Sequence, residues 1–254
     1  MPLPETGFED LVAHLRALGL RKGDDVVVHG HLVAFGRIEG GEATLDEALR
    51  AVIGDAATIA VPTYTFRCDP EAPFDPQATP SQGMGVFSEH FRRQPQVRRS
   101  WCPLHSHAAK GPKASLLRED LCTASFGPGS DFEAFHEAGF RLLTLGCAFL
   151  KGASYVHHVE AVARVPYREW RELPRRIVLE DGRLAEGRCR YYLRKDRSVV
   201  ENFSVVGAAL ESAGRLRRAR CPLGSSTLCD LAAVHETTLK LLRADPYAVV
   251  TSPQ

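Results

Sequence analysis

The sequence has no excess of charge of either sign. Its 254 residues include 32 Lys and Arg and 31 Asp and Glu, which gives a formal net charge of +1 at pH 7. Proteins that bind nucleic acid mainly through electrostatics carry a basic excess. The composition therefore argues against such a protein and predicts no nucleic-acid partner.

Long apolar runs are also absent from the sequence. No stretch approaches the roughly 18 apolar residues that a membrane-spanning helix needs. The N-terminal segment MPLPETGFEDL is acidic and lacks the basic-then-apolar order of a secretory signal. We therefore expect a cytoplasmic protein without a membrane partner.

The cysteines form no recognisable framework. There are seven of them, widely spaced, and no two are separated by only two residues. An odd number without that spacing argues against both a set of disulfides and a cysteine-rich zinc site. We expect reduced and mostly buried thiols.

Apolar runs alternate with amphipathic segments along the chain. The runs at 25–28, 57–61 and 140–146 predict buried strands, and apolar spacing predicts helices at 8–20, 44–54 and 154–166. This order predicts an α/β fold with a largely parallel central sheet flanked by helices, formed by one domain over residues 1–254. Ligands bind at the carboxyl ends of such strands, where the loops at His29, Thr63 and Cys147 begin.

A long loop at 63–85 interrupts this pattern. A loop of about 20 residues is uncommon in a compact domain unless it has a function. Its Tyr64 and Asp75, among further hydroxyls and aromatic rings, suit a polyhydroxylated or cationic substrate; a solvated proline-rich crossover is the alternative. Further on, Asp181 and Gly182 are typical of a hairpin turn, and 205–213 and 228–242 are predicted helices.

His157 and Glu160 are three residues apart in the segment 154–160. On a helix this spacing puts both side chains on one face. A carboxylate beside an imidazole fixes its tautomer and stabilises its protonated form. The pair fits a general base with an orienting acid, able to take a proton from an amine or a hydroxyl. A surface ion pair is the alternative.

Two pairs of histidines have the spacing of metal ligands on extended chain. His29 and His31 form one pair, and His105 and His107 form the other. Side chains two residues apart on extended chain point the same way, so each pair could hold a zinc ion. A zinc-dependent hydrolase is therefore a second hypothesis, and unrelated loop histidines are the alternative to it.

The segment 126–132 combines glycines with a helix-capping residue. Gly127 and Gly129 allow close approach of the backbone to a ligand, and Ser130 can cap a helix that starts near Asp131. A helix N-terminus favours anions such as phosphates. The segment therefore indicates an anion site, although many loops before helices look similar.

Together these segments resemble the aminoglycoside 3-N-acetyltransferase family, from about Phe8 to about Pro246. Single pieces are unspecific, but about ten occur in the expected order. They are Val28-His29-Gly30-His31-Leu32 (V-H-S-S-L), Glu39-Gly40-Gly41 (a G-G loop), Val61-Pro62-Thr63-Tyr64-Thr65 (M-P-T-F-T), Phe74-Asp75-Pro76 (Y-D-P), Thr79-Pro80-Ser81 (T-P-S), Met84-Gly85 (M-G), Arg99 to Ser106 (R-S-x-H-P-T-H-S), Phe126-Gly127 with Ser130-Asp131-Phe132 (F-G and S-P-F), Leu143 to Gly146 (L-L-L-G), Ser154 to Glu160 (T-x-x-H-x-x-E) and Val165-Pro166-Tyr167-Arg168 (V-P-Y-R).

The resemblance implies a fold unlike the commoner acetyltransferase fold. It also implies direct transfer of an acyl group from acetyl-CoA or another acyl-CoA to a small-molecule amine, without metal. His157 would be the base, Glu160 would orient it, and Asp75 would lie near the acceptor. Residues 167–200 would form a subregion on the substrate side. The resemblance also allows the protein to form a homodimer. The positions that match CoA-holding regions are His29, Gly30, His31, Leu32, Phe35, Gly36, His105, Ser106, Phe126, Gly127 and Ser130.

The sequence departs from the family pattern at several of these positions. Gly30 and His31 occupy places where Ser or Thr is usual, and Trp101-Cys102 occupies the place where His is common just before Pro. His107 follows Ser106 where a small apolar residue is usual. We expect these changes to affect CoA affinity and acyl preference.

Three hypotheses follow from the sequence. The acyltransferase accounts for all the motifs, whereas the zinc hydrolase accounts only for the histidines. An inactive relative that serves as a binding protein would be expected to lose His157 or Glu160. The acceptor stays open between an aminoglycoside and another amino sugar, and the acids Asp69, Glu71 and Asp75 permit a polycation.

Overall fold

The computed structural model describes residues 2–66 and 72–251. The α-helices of these residues are α1 (Phe8–Ala17), α2 (Glu42–Ile53), α3 (Gly85–Arg92), α4 (Asp131–Glu137), α5 (Phe149–Gly152), α6 (Tyr155–Ala163), α7 (Ser204–Ser212) and α8 (Leu231–Ala244). The main strands are β1 (Val26–Gly30), β2 (Ile59–Pro62), β3 (Arg98–Arg99), β4 (His107–Lys110), β5 (Cys122–Ala124), β6 (Arg141–Leu145), β7 (Arg168–Val178), β8 (Leu184–Arg194), β9 (Arg217–Cys221) and β10 (Gly224–Asp230).

Short elements complete the described chain. Leu32–Phe35 and Pro112–Leu116 are 3₁₀ helices. Glu5–Thr6 pairs with Arg37–Ile38, and Val200–Glu201 pairs with Val250–Thr251. The second of these two-stranded pairs connects Val250–Thr251 with the segment that follows β8.

The central sheet has seven strands in the order β9-β10-β6-β1-β2-β4-β3. The α/β class and the helix-flanked sheet predicted from the sequence are confirmed. The sheet is not largely parallel, however, because only β6, β1 and β2 run parallel to one another. The outer strands pair antiparallel. Between β9 and β10 the connection is too short for the crossover that parallel pairing needs.

Successive side chains of the inner strands point to opposite faces of the sheet, and each face has its own layer of the core. Val26 and Val28 face the layer that contains α1 and α2, whereas Val27 between them faces the layer that contains α6 and α8. All three are at most 2% exposed. Successive side chains on a strand point to opposite faces, so a run of valines becomes a strand covered by helices on both sides.

A second sheet lies outside the central one. β7 and β8 form an antiparallel hairpin, and β8 also pairs in parallel with β5. The turn is where Asp181 and Gly182 predicted it, and Gly182 has a φ of +80° that favours glycine. The hairpin covers most of residues 167–200.

Two local predictions are wrong. The predicted helix at 228–242 starts only at Leu231, because residues up to Asp230 extend as strand β10. The helix predicted from Thr44 starts at Glu42, with Gly41 as the residue before it.

The remaining expectations from composition concern thiols and membranes. The six cysteines within the described residues are free, and half of them are buried, Cys102, Cys189 and Cys229. Cys68 lies outside the described residues, as do Asp69 and Glu71 of the acidic loop.

Across residues 2–66 and 72–251 no helix is both long and apolar enough to cross a bilayer.

Candidate active site

The first turn of α6 brings His157 and Glu160 together. Nδ1 of His157 lies 2.5 Å from Oε2 of Glu160. The Glu160 side chain is fully buried and that of His157 is 18% exposed. A surface ion pair would leave both groups in water, so this alternative is wrong.

Glu160 is held by two residues that follow its helix. The Tyr167 hydroxyl donates to Oε1 at 2.7 Å, and Nε of Arg168 lies 3.0 Å from Oε2. Burial alone would raise the pKa of Glu160, but the charge and hydrogen bond of His157, with those of Arg168 and Tyr167, hold it below its usual value. The carboxylate is therefore ionised at neutral pH.

The contact with Glu160 sets the tautomer of His157. An ionised carboxylate only accepts hydrogen bonds, so Nδ1 must carry the proton. Nη2 of Arg168 lies 3.1 Å from the same nitrogen and cannot donate to it in this state. The lone pair of Nε2 is thereby free on the side of Glu201, whose Oε1 is 4.0 Å away.

Two aromatic rings pack against the His157 imidazole. The ring of Phe126 is 5.0 Å away and that of Phe203 is 4.9 Å away, centroid to centroid. Sequence reasoning missed Phe203 and Glu201. Tyr167 and Arg168 belong to the V-P-Y-R segment, but the sequence alone assigned no role to them.

A cavity of about 500 Å³ opens at the carboxyl ends of the parallel strands, as expected for this fold class. Its polar side chains are His29, His31, Cys147 and Lys151. The remaining lining residues are Gly30, Pro62, Gly83, Met84, Gly85, Gly146 and Ala148. Burial, and next the charge of His107, lower the pKa of His29 to about 3, so His29 is neutral there.

Other positions predicted to hold CoA do not line this cavity. Leu32 packs against the apolar core, and Phe35 is 1% exposed. Gly36 lies against Pro4, where a side chain would clash with the Pro4 carbonyl. Ser106 is fully buried and donates its hydroxyl proton to the Thr63 carbonyl. These residues build the fold around the site.

His105 and Phe126 form a chain of ring contacts that ends at His157. Their rings are 4.5 Å apart, and Phe126 contacts His157. Burial is the main cause that lowers the pKa of His105 well below its usual value. Nδ1 of this neutral ring is buried and has no hydrogen-bond partner within the described part of the chain.

Ser130 caps α4, as the sequence predicted. Its hydroxyl accepts from the Glu133 amide at 3.3 Å and donates to the Gly127 carbonyl at 2.6 Å. Gly127 takes a φ of +68°. The Glu133 carboxylate accepts from the Gly129 amide at 2.8 Å, so the protein's own acid fills the predicted anion site.

The two residues predicted to bind substrate have different surroundings. Tyr64 is 2% exposed, and its hydroxyl lies 3.2 Å from Nε2 of His107. Asp75 accepts from the amides of Gln77 and Ala78 and borders another cavity, of about 610 Å³. The structure therefore does not bring Tyr64 and Asp75 to one surface.

The four histidines of the zinc hypothesis do not converge. His107 bonds to Asp131 and Tyr64, and the ring of His105 packs among aromatic side chains. Over residues 2–66 and 72–251, no three His, Cys, Asp or Glu side chains are arranged to hold a metal ion. The proposed zinc site is therefore wrong.

Comparisons with known proteins show the family of the chain. The family model described as aminoglycoside 3-N-acetyltransferase matches residues 27–243. Aminoglycoside N(3)-acetyltransferase III of Serratia marcescens is 33% identical over 222 residues, 79% of this chain and 80% of the relative. Aminoglycoside N(3)-acetyltransferase IV of Salmonella sp is 29% identical over 248 residues, 96% of this chain and 90% of the relative.

Solved structures show the same likeness. The structure described as AAC-IIIb binary with CoASH superposes with a TM-score of 0.82 at 26% identity, covering 95% of this chain and 97% of that chain. The apoenzyme of aminoglycoside acetyltransferase AAC(3)-IVa superposes with a TM-score of 0.82 at 28% identity, covering 98% and 93%.

The fold and these likenesses define the class of the protein, an acyl-CoA-dependent N-acyltransferase. The chain belongs to the aminoglycoside 3-N-acetyltransferase family. The resemblance inferred from the sequence is thus confirmed. The inactive relative finds no support, since the His157 and Glu160 side chains are present and paired.

Proposed function

We propose that this chain transfers an acetyl or other short acyl group from acyl-CoA to an amine of an aminoglycoside or amino-sugar-like acceptor. His157 acts as the general base, and Glu160 orients it. The observation that carries the proposal is the buried 2.5 Å contact between Nδ1 of His157 and Glu160. It leaves Nε2 as the proton-accepting atom.

The proton of the acceptor amine passes to Nε2 of His157. As this nitrogen gains the proton, the imidazolium that forms is stabilised by the ionised Glu160 already at Nδ1. Arg168 and Tyr167 keep the carboxylate from turning away, because they engage both of its oxygens. A bound acyl-CoA supplies the thioester carbonyl to which the amine nitrogen adds. The carbon–sulfur bond of the adduct then breaks, and the CoA thiolate leaves and takes up the proton held on Nε2. The chain supplies no nucleophile of its own in this direct transfer.

Glu201 is the group that we assign to the ammonium form of the acceptor. Its Oε1 lies 4.0 Å from Nε2 of His157, and its side chain is 32% exposed. A carboxylate at this distance can hold an amine beside the base. Arg168 and Arg194, each 3.5 Å from the same oxygen, fix its position.

The cavity at the strand ends is our proposed site for acyl-CoA. A volume of about 500 Å³ is within the usual range of ligand pockets. His31 and Lys151 supply donors for phosphate oxygens, and the four glycines and Met84 leave room for an apolar arm. His31 would thus take over the task of the hydroxyls that the family pattern has at this place. Among the described residues, the side chains that line this cavity are not arranged as a set of metal ligands.

The acceptor side is proposed to be the β7–β8 hairpin, within residues 167–200. This segment has ten Lys and Arg and six Asp and Glu, a net charge of +4. Like charges repel, so a polycation is a poorer match than an amino sugar with one amine. Asp75 borders the cavity of about 610 Å³ that Val178 and Glu180 of this hairpin also line, and we place its carboxylate near the acceptor.

A thiol-release assay tests the proposal. The purified protein is given acetyl-CoA with two matched groups of acceptors, amino sugars carrying one amine and aminoglycosides carrying several. We expect amine-dependent release of CoA and a higher kcat/KM for the single-amine group. Release that does not depend on any amine, or none with either group, would contradict the proposal.

A further inference from the structure

Two buried thiols meet between the β7–β8 hairpin and the segment 100–106 that precedes β4. Sγ of Cys102 lies 3.7 Å from Sγ of Cys189. Cys102 is 2% exposed and Cys189 is fully buried. No step of the proposed transfer uses either thiol. Cys102 also belongs to the Trp101-Cys102 departure from the family pattern, so the pair is not part of that pattern.

The surroundings of the two sulfur atoms are polar. The Ser125 hydroxyl lies 3.5 Å from Sγ of Cys189 and 3.8 Å from Sγ of Cys102. The backbone amide of His105 donates to Sγ of Cys102 at 3.4 Å. A buried thiol usually behaves as a small apolar group, whereas these two lie among groups that can stabilise a thiolate.

A buried arginine lies on the same face of the hairpin as Cys189. Gly187, two residues before Cys189, pairs with Arg175 in the hairpin register. Arg175 is therefore the diagonal neighbour of Cys189, within reach of a long side chain. It is 7% exposed, and its Nε has no hydrogen-bond partner in the described part of the chain. A buried cation is stabilised by a nearby anion, and a thiolate at Cys189 provides one.

Cys189 is the thiol of the pair that ionises. The hydrogen bond with Cys102 holds the pKa of Cys189 below its usual value, although burial opposes this effect. Burial is the main cause that raises the pKa of Cys102 well above its usual value. Since the thiolate is the nucleophilic form of cysteine, Cys189 attacks an oxidant first and Cys102 follows.

The two thiols belong to segments whose rings pack next to His157. Tyr191 follows Cys189 by two residues and so lies on the same face of β8. Its ring is 5.5 Å from that of His105 and 5.9 Å from that of Phe126. The Phe126 ring in turn is 5.0 Å from that of His157. A bond between the two sulfur atoms would therefore join the segments that carry the His105 and Tyr191 rings.

We propose that Cys102 and Cys189 form a reversible disulfide that joins β8 to the segment 100–106 and slows acyl transfer. A disulfide bond is about 2 Å long, so the sulfur atoms must move together from 3.7 Å and shift both segments. A displacement of about 1 Å near a catalytic group can cost about 100-fold in rate. The slower transfer rests on the function proposed above, whereas the disulfide itself does not.

Hydrogen peroxide is the oxidant, because buried thiols are open only to a small molecule. The Cys189 thiolate attacks one peroxide oxygen; a sulfur–oxygen bond forms, the oxygen–oxygen bond breaks, and the hydroxide that leaves takes up the proton lost by Cys189. The Cys102 thiol then attacks the sulfur of this sulfenic acid. A sulfur–sulfur bond forms, the sulfur–oxygen bond breaks, and the second hydroxide leaves as water with the Cys102 proton. Two thiols are oxidised and one peroxide is reduced to two waters.

Peptide mass spectrometry tests the disulfide. The folded protein is treated with hydrogen peroxide, its remaining thiols are blocked with iodoacetamide, and the protein is digested. We expect a linked pair of peptides that contain Cys102 and Cys189 and that dithiothreitol separates. Cys229→Ser is the matched control, since Cys229 is also 2% exposed, and it should keep the linked pair. No linked pair in the folded wild-type protein, or one that forms only after unfolding in urea, would overturn the proposal.

Two single variants test the order of attack. In Cys102→Ser the sulfenic acid at Cys189 has no thiol partner, so dimedone should trap it. In Cys189→Ser we expect far less dimedone adduct at Cys102, because that thiol stays protonated. More adduct at Cys102 than at Cys189 would overturn the assigned order. Where a serine variant does not fold, the alanine variant at the same position replaces it.

The effect on turnover is measured in the thiol-release assay after peroxide and reductant have been removed. We expect kcat of the oxidised protein to be about tenfold lower than that of the reduced protein, and dithiothreitol treatment to restore it. Peroxide should leave the kcat of Cys189→Ser unchanged. Equal kcat in the reduced protein and in protein with the mapped disulfide would overturn the slower transfer. Absence of turnover in the reduced wild-type protein would instead overturn the proposed function.

Discussion

Oε2 of Glu160 lies 2.5 Å from Nδ1 of His157, and no part of this carboxylate reaches solvent. A buried carboxylate is stable as an anion only when it is paired and hydrogen-bonded. Here Arg168 and Tyr167 supply those partners. The geometry therefore keeps one proton on Nδ1 and leaves Nε2 ready to accept another.

Glu160→Gln should disable the base while keeping the shape of the site. The amide cannot stabilise a positive imidazole, so we expect kcat to fall about 100-fold. The Kd for CoA, measured by calorimetry on the same preparation, should stay within twofold, because Glu160 does not line the cavity. A kcat near the wild-type value would show that the carboxylate has no orienting role.

Tyr167→Phe should have a smaller effect in the same direction. It removes the donor to Oε1 of Glu160 and leaves Arg168 in place. We expect kcat to fall several-fold and the free energy of unfolding to fall by about 1–2 kcal/mol. Tyr247→Phe is the control, since its ring lies 5.3 Å from that of Tyr167 but is exposed at the surface. Equal losses of kcat and of unfolding free energy in both variants would show that Tyr167 does not act specifically on Glu160.

Stability should decrease as pH falls below about 6.5, the usual pKa of histidine. Burial lowers the pKa of His29 and of His158 to about 3, with neighbouring histidines as the second cause. In the unfolded chain both rings take up protons near pH 6.5, while the folded chain stays neutral down to about pH 3.

The unfolded state therefore gains protons first, and stability is lost between these two pH values. Each histidine should lower the free energy of unfolding by about 2 kcal/mol between pH 7 and pH 5. Urea unfolding at the two pH values measures the change, and His158→Phe should make it smaller. A free energy of unfolding that is flat over this interval would exclude two neutral buried rings.

Lys151→Ala should weaken CoA binding without slowing the chemical step. The lysine lines the cavity but is not near His157 in any described contact. We expect the Kd for CoA to rise about fivefold at low salt and kcat at saturation to stay unchanged, since a partly exposed charge contributes modestly. Lys240→Ala, on the exposed side of α8, is the control. An unchanged Kd in Lys151→Ala would show that the phosphates of CoA bind at another surface.

The inner part of the fold could be predicted from the sequence because its signals are local. The valines of β1 and the Asp181-Gly182 turn were placed correctly. The outer strands could not be predicted, because β4 and β10 mix polar with apolar residues and show no apolar run. Such strands form where an edge of the sheet offers a partner, which depends on the rest of the chain rather than on their own residues.

The contact between His157 and Glu160 could be predicted from helix spacing, but the other residues around Glu160 could not. His157 and Glu160 are three residues apart, so one helix rule joins them. Tyr167 and Arg168 reach Glu160 only because the chain turns back after α6, at Arg164, whose φ is +54°. Glu201 comes from a ribbon that pairs with the end of the chain, and nothing near it in sequence indicates this.

The role of His157 as base is tested most directly by His157→Ala in the thiol-release assay. We expect kcat to fall by about 10² to 10⁴, the usual loss when a general base is removed. The Kd for CoA and the thermal unfolding midpoint should stay close to the wild-type values. A variant that releases CoA at a near-normal, amine-dependent rate would contradict the account.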